Sequence, residues 1–213
     1  MFKFTMNELR DLFISFLVIS LGFSILYSNR DFSAIGSLLP ISMVGVGIGF
    51  IFHEIAHKIT SMHFGYWAEY KLWPTGLIIA ILTSFMGIIF AAPGAVYTYG
   101  NHINDRENGI ISLAGPVMNI IISLIFLGVA VALYPSLNPN DPVTYVLFLT
   151  LTLGFSINSY LALFNLIPFG GLDGSKVFRW NKIIWIGSII IAGYMTYLGI
   201  FVGLENIILG MLG

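Results

Sequence analysis

The chain has 213 residues, of which 57% are hydrophobic and only 9% charged, so polar surface is too scarce to cover a soluble globule of this size. A formal net charge of -1 without any basic block excludes nucleic acid as a partner, and the absence of cysteine excludes disulfides and thiolate metal sites. What remains is an integral membrane protein.

The N-terminal stretch MFKFTMNELRD followed by LFISFLVISLGFSILY has the charged-then-apolar order of a signal peptide, but no small-residue cleavage site follows at YSNRDF. It reads as a retained first span. Apolar runs long enough to cross a bilayer extend from about Leu12 to Tyr27, Ile35 to Met62, Ile110 to Tyr134, Val143 to Ile167 and Ile183 to Leu204. A sixth, Leu77 to Ala92, is shorter and runs into the turn-like Ala91-Ala92-Pro93-Gly94. If it crosses, Lys3, Arg10, Lys58 and Lys71 lie on one side and Arg30, Arg106, Lys176, Arg179 and Lys182 on the other, which is no bias. If it dips in and returns, every Lys and Arg except Arg30 shares the side of the N-terminus, as the positive-inside rule expects of a cytosolic face. The expected fold is therefore an all-α polytopic membrane protein. It is a bundle of five to six transmembrane helices with a re-entrant or β-hairpin segment after the second. With no internal repeat and no appended soluble domain, residues 1–213 read as a single membrane-embedded core. The N-terminus is expected in the cytosol.

The second span closes on GFIFHEIAHKITSMH, residues 49 to 63. On a helix His53 and His57 project from one face at the spacing that lets two imidazoles bind one zinc, with Glu54 beside them as a general base. A catalytic zinc takes three protein ligands and keeps one position open. Two residues compete for the third place. His63 stands six residues after His57, the spacing of the longer phrase HExxHxxGxxH, but Thr60 occupies the place of the turning glycine. Asp173 lies in FNLIPFGGLDG, residues 164 to 174, where Pro168, Gly170 and Gly171 break the helix and allow an aspartate to swing inward on an extended strand. Charge favours Asp173, because zinc with Asp173 and Glu54 sums to about zero in a low dielectric. Topology agrees. His57 and Asp173 share a membrane face only if an even number of crossings separates them, as a re-entrant Leu77 to Ala92 provides. Glu8, Asp11, Asp31, Glu69, Asp105, Glu107, Asp141 and Glu205 read as solvated charges in loops or at span ends.

Together HEIAH at 53 to 57, GPVMN at 115 to 119 and NLIPFGGLDG at 165 to 174 resemble, in order, three landmarks of the site-2 protease family of intramembrane zinc metalloproteases, in its minimal prokaryotic form. The resemblance implies one Zn2+ per chain held by His53, His57 and Asp173, and Glu54 as catalytic base. It implies Asn119 and Asn165 near the substrate, either one a candidate hydrogen-bond donor to the oxyanion. It also implies β-strands after the metal helix, which suits WAEYKLWP, and hydrolysis of peptide bonds within or near transmembrane segments of protein substrates. The spacer FGGLDG departs from the proline or extra asparagine that many members carry near the aspartate.

Gly45, Gly49, His53 and His57 form a stripe at four-residue steps, suited to close helix packing or to a cavity above the metal. Asn158, one heptad before Asn165, reads as an interhelical hydrogen-bonding residue. Ala92 to Tyr99, APGAVYTY, has the turn and the β-branched and aromatic residues of a strand. With Val96 at its centre, it is the candidate edge on which an unwound substrate pairs. A metal-ion transporter or channel using the same histidines transiently is the alternative from another class.

Overall fold

The computed structural model describes residues 3–100, 102–138 and 140–212. In chain order these form α1 (Met6–Tyr27), α2 (Ile35–His63), β1 (Trp67–Leu72), α3 (Pro74–Ser84), β2 (Gly94–Tyr99), α4 (Asp105–Leu133), α5 (Pro142–Asn165), α6 (Asp173–Trp180), α7 (Lys182–Tyr197) and α8 (Leu204–Leu212). Among the described residues five helical stretches are long and apolar enough to cross a membrane: Met6–Tyr27, Phe32–His63, Asp105–Ser136, Pro142–Asn165 and Lys182–Val202. They coincide with the five long apolar runs of the sequence.

Polar residues at the ends set where these helices start. Thr5 with Glu8 and Asn104 with Glu107 form capping boxes on α1 and α4. Asp141 accepts from the Thr144 amide ahead of a proline at the first position of α5. Helix α2 is central. A Cβ on Gly45 would stand 3.3 Å from the Gly154 Cα of α5, and one on Gly49 would overlap the Asn158 side chain. The glycine stripe is therefore filled by α5 and serves packing. Asn158, wholly buried, donates to the carbonyls of Gly45 and Gly154.

The segment after α2 is a two-stranded antiparallel sheet with a helix inserted at its tip. Tyr70 lies opposite Val96 and Leu72 opposite Gly94, so residues 73–93 leave and return at one point. The inserted helix α3 has 11 residues. That is about 16 Å at 1.5 Å per residue, roughly half the hydrocarbon thickness. Leu77 to Ala92 thus leaves the sheet and returns to it, with a helix too short to cross a bilayer. A Cβ on Gly76 would overlap the Ala92 carbonyl, and Thr83 Oγ1 accepts the Phe90 amide at 2.9 Å to close the tip.

The ladder's parity follows from two observations. The Trp73 amide donates to the Pro93 carbonyl at 2.7 Å, continuing the register, while the amides of Tyr70 and Leu72 turn away to Glu8 Oε1 (3.1 Å) and Asp11 Oδ2 (3.3 Å). In an antiparallel pair hydrogen-bonded and non-hydrogen-bonded positions alternate. Odd-numbered residues therefore bond across the sheet, and Gly94, Val96 and Thr98 turn their amides and carbonyls to the opposite, open edge of β2.

Two carboxylates and two helices depart from the sequence reading. Glu8 and Asp11, expected in solvent, are 1% and 8% exposed. Arg10 stands between them and pairs with Asp11 Oδ1 at 2.8 Å, and only the fold brings β1 against the two acids. Helix α6 is short and amphipathic, and α8 follows a left-handed Gly203 (φ 79°) that breaks the C-terminal run.

Candidate metal centre

The N-terminal end of α1, the C-terminal end of α2, the N-terminal end of α4 and the C-terminal end of α5 meet at one end of the bundle. Lys58 pairs there with Glu8, His57 with the Ile111 carbonyl, and Asp173 reaches His57 just beyond α5. His57 and His53 lie six and ten residues before the end of α2, or roughly 9 and 15 Å along its axis.

Three buried side chains converge at this depth. His53 Nε2 and His57 Nε2 are 2.9 Å apart, and Asp173 Oδ2 is 3.4 Å from the first and 3.1 Å from the second. Neighbouring ligands around a tetrahedral ion at 2.0–2.1 Å lie about 3.3 Å apart. The proton positions fit as well. His53 Nδ1 meets the Asn119 Oδ1 at 2.6 Å and His57 Nδ1 meets the Ile111 carbonyl at 2.7 Å, so each ring donates from Nδ1 and keeps a lone pair on Nε2. Two lone pairs and a carboxylate oxygen at such separations repel unless a cation lies between them. Nitrogen and oxygen donors in this number suit zinc. Among the described residues His53, His57 and Asp173 are the group of this kind.

Asp173 is the first residue of α6, not part of an extended strand as the glycines before it suggested. Leu172 is extended and the helix begins at once, with Gly170 left-handed (φ 58°) in the turn and Gly174 so close to the Leu166 carbonyl that a Cβ would overlap it. Lys176 Nζ stands 3.7 Å from the outer oxygen Oδ1. His63 lies apart, exposed at the end of α2 with its ring against Phe64. Substituting Asp173→Ala is expected to lower zinc content at least tenfold, and His63→Ala to leave it unchanged. Metal analysis of the purified variants checks both.

Glu54 is 7% exposed, and its Oε2 has no hydrogen-bond partner in the protein. It opens on a cavity of about 460 Å3 whose walls include His53, His57 and Asp173 together with Asn165, Lys176 and Gly94 to Thr98 of β2. Asn165 is half-buried there, with its amide on the Leu161 carbonyl. Asn119 differs from the sequence expectation. Its oxygen accepts from His53 and its amide donates to the Gly49 carbonyl and to Asn158 Oδ1, each at 3.1 Å, so no donor remains for an oxyanion. It holds the His53 ring instead.

Gly115 abuts the site, a placement that spacing alone does not reveal. A Cβ there would overlap the Nε2 atoms of both His53 and His57. The glycine of GPVMN lets the backbone of α4 approach both imidazoles.

An apolar bundle with two histidines one turn apart, a carboxylate beside them and a free buried glutamate has the parts of a zinc metalloprotease. The chain is 39% identical over 199 residues, 92% of its length and 97% of the relative's, to a Methanocaldococcus jannaschii protein named as a putative zinc metalloprotease. It is 31% identical over 162 residues to Rip2 of Mycolicibacterium smegmatis, which carries the same description, covering 66% of this chain and 60% of that one. The chain belongs to this zinc metalloprotease family. No family model and no solved structure matches it.

Proposed function

We propose that the protein is an intramembrane zinc metalloprotease of the site-2 protease type, holding one zinc per chain and hydrolysing peptide bonds within or near transmembrane segments of membrane-protein substrates. The observation that carries this reading is that the open edge of β2 shares one cavity with Glu54 and the three ligand atoms. Inside a transmembrane helix each carbonyl is hydrogen-bonded and shielded, so the helix must open before water can attack. Opening leaves backbone groups that cost about 2–7 kcal/mol each when unpaired in an apolar medium. The outward amides and carbonyls of Gly94, Val96 and Thr98 supply partners for them as an added strand.

His53, His57 and Asp173 would hold the zinc, which when bound would supply Lewis-acid polarisation of a carbonyl and lower the pKa of water to near neutral. Glu54, with an unpartnered oxygen in the cavity, accepts that proton and returns it to the leaving amine. Asn165 has a second amide hydrogen for the oxyanion or the substrate backbone. Asn119 and the Ile111 carbonyl hold the two rings in the ligating tautomer. A transport role leaves Glu54 and the free edge of β2 without work. Cleavage of an unfolded protein by the detergent-purified enzyme, abolished by a chelator and restored by zinc, tests the reading. Zinc uptake into vesicles without cleavage would favour transport.

Val96→Pro removes an edge amide, whereas Tyr97→Pro removes one bonded to β1. Val96→Pro is expected to reduce cleavage of a membrane-embedded substrate at least tenfold with zinc content and the β1–β2 pairing intact, and Tyr97→Pro to disrupt the sheet itself. Unchanged cleavage by Val96→Pro would remove β2 as the substrate edge.

The positive-inside rule orients this end of the bundle to the cytosol, because Arg10, Lys58, Lys71, Arg106, Lys176, Arg179 and Lys182 gather at it. Water then reaches the metal from the cytosolic side. Tags at the N-terminus and near Arg106 are expected to be protected in intact cells, and one between Pro135 and Pro142 to be accessible. An accessible Arg106 loop would reverse the orientation.

A further inference from the structure

A two-stranded sheet has two edges, and only one of them faces the cavity. An open second edge would present unpaired donors where a substrate strand could pair out of reach of the metal. In this protein the second edge is occupied. Glu8 Oε1 takes the Tyr70 amide at 3.1 Å and Asp11 Oδ2 takes the Leu72 amide at 3.3 Å, two successive outward amides of β1 met by two carboxylates one turn apart on α1. Both acids are buried. Glu8 also carries an ion pair with Lys58, each 1% exposed, and Lys58 is the residue after His57. The chain of contacts from His57 through Lys58 and Glu8 to the Tyr70 amide links the metal helix directly to the sheet.

We infer that Glu8 and Asp11 are positioning residues for proteolysis. They close the outer edge of β1, so that β2 alone receives substrate, and Glu8, through Lys58, fixes the distance between that edge and the metal. The inference rests on the reading of β2 as the substrate edge. Buried carboxylates suit the task because a charged acceptor makes the stronger hydrogen bond to an amide. A misplacement of the sheet by even 1 Å would carry the scissile carbonyl away from Glu54 and slow the chemical step.

Removing Glu8 alone would strand a buried lysine, so the test compares two double variants of the full chain, E8Q with K58M and E8L with K58M. Both delete the buried charges. Only the first keeps an oxygen for the Tyr70 amide. Zinc content, kcat and KM for a membrane-embedded substrate, and hydrogen exchange at the Tyr70 amide are measured for each. We expect both doubles to retain zinc. E8L with K58M should show kcat about tenfold or more below E8Q with K58M, without a rise in KM and with faster exchange at Tyr70. Equal kcat in the two doubles, or zinc lost from E8L with K58M, would overturn the inference. Val96→Pro in the wild-type background separates the two levels. If it leaves cleavage unchanged, the reading of β2 and this inference fall together. If it blocks cleavage while the doubles are equal, this inference fails and the reading of β2 stands.

Discussion

Glu54→Gln is expected to lower proteolysis by roughly 10²–10⁴-fold, the usual contribution of a positioned general base, while leaving zinc content unchanged. The separation of the two effects follows from the geometry. The oxygens of Glu54 are not among the three converging donor atoms, which come from His53, His57 and Asp173, and Oε2 has no partner whose loss would disturb them. Glutamine keeps the shape and removes the proton-accepting carboxylate. Metal analysis and cleavage assays on one preparation check the prediction, and loss of zinc would assign Glu54 to the ligand set.

Gly115→Ala is expected to do the reverse, lowering zinc content and with it all activity. The added methyl would fall on the two Nε2 atoms, and neither ring can retreat freely. His53 is held at Nδ1 by Asn119, and His57 by the carbonyl of Ile111 on α4 itself. Loss of an orienting partner alone typically costs about 10–100-fold in metal affinity, and displacing two ligands at once should exceed that. Because Gly115 lies on α4 between other helical residues, alanine raises helix propensity there. The variant should therefore remain folded by circular dichroism while binding little zinc. Normal zinc content would mean that α4 approaches the imidazoles less closely than the structure indicates.

Much of this site is legible in the sequence because its parts are local. His53, Glu54 and His57 lie within two turns of one helix, and their face follows from helical geometry alone. Asp173 required topology, and the distribution of lysine and arginine with a short apolar run at Leu77 to Ala92 supplied it. What the sequence hid depends on long-range approach. Asn119 is a polar residue in an apolar span, a signal that marks a partner without saying which. Only the crossing of α2 and α4 assigns it to His53 and commits both of its amide hydrogens. Glu8 and Asp11 sit at the start of a span, where solvated acids are common, and their burial comes from a strand some sixty residues away. Gly115 resembles any small residue at a helix interface until the imidazoles beneath it are seen. The parity of β2, which decides that Val96 and not Tyr97 faces the cavity edge, is set by those same acids and by the register of the ladder.

The proposed activity is hydrolysis of a peptide bond inside the bilayer by a zinc held at His53, His57 and Asp173. The most direct measurement is mass spectrometry of the products formed when the purified protein, reconstituted into lipid vesicles, acts on a single-span substrate. Wild type is expected to yield fragments whose new ends fall within or at the edge of the apolar stretch. Those fragments should disappear on chelation, return with zinc, and be missing from Glu54→Gln. Fragments confined to soluble flanks of the substrate, or cuts that persist in Glu54→Gln, would contradict it.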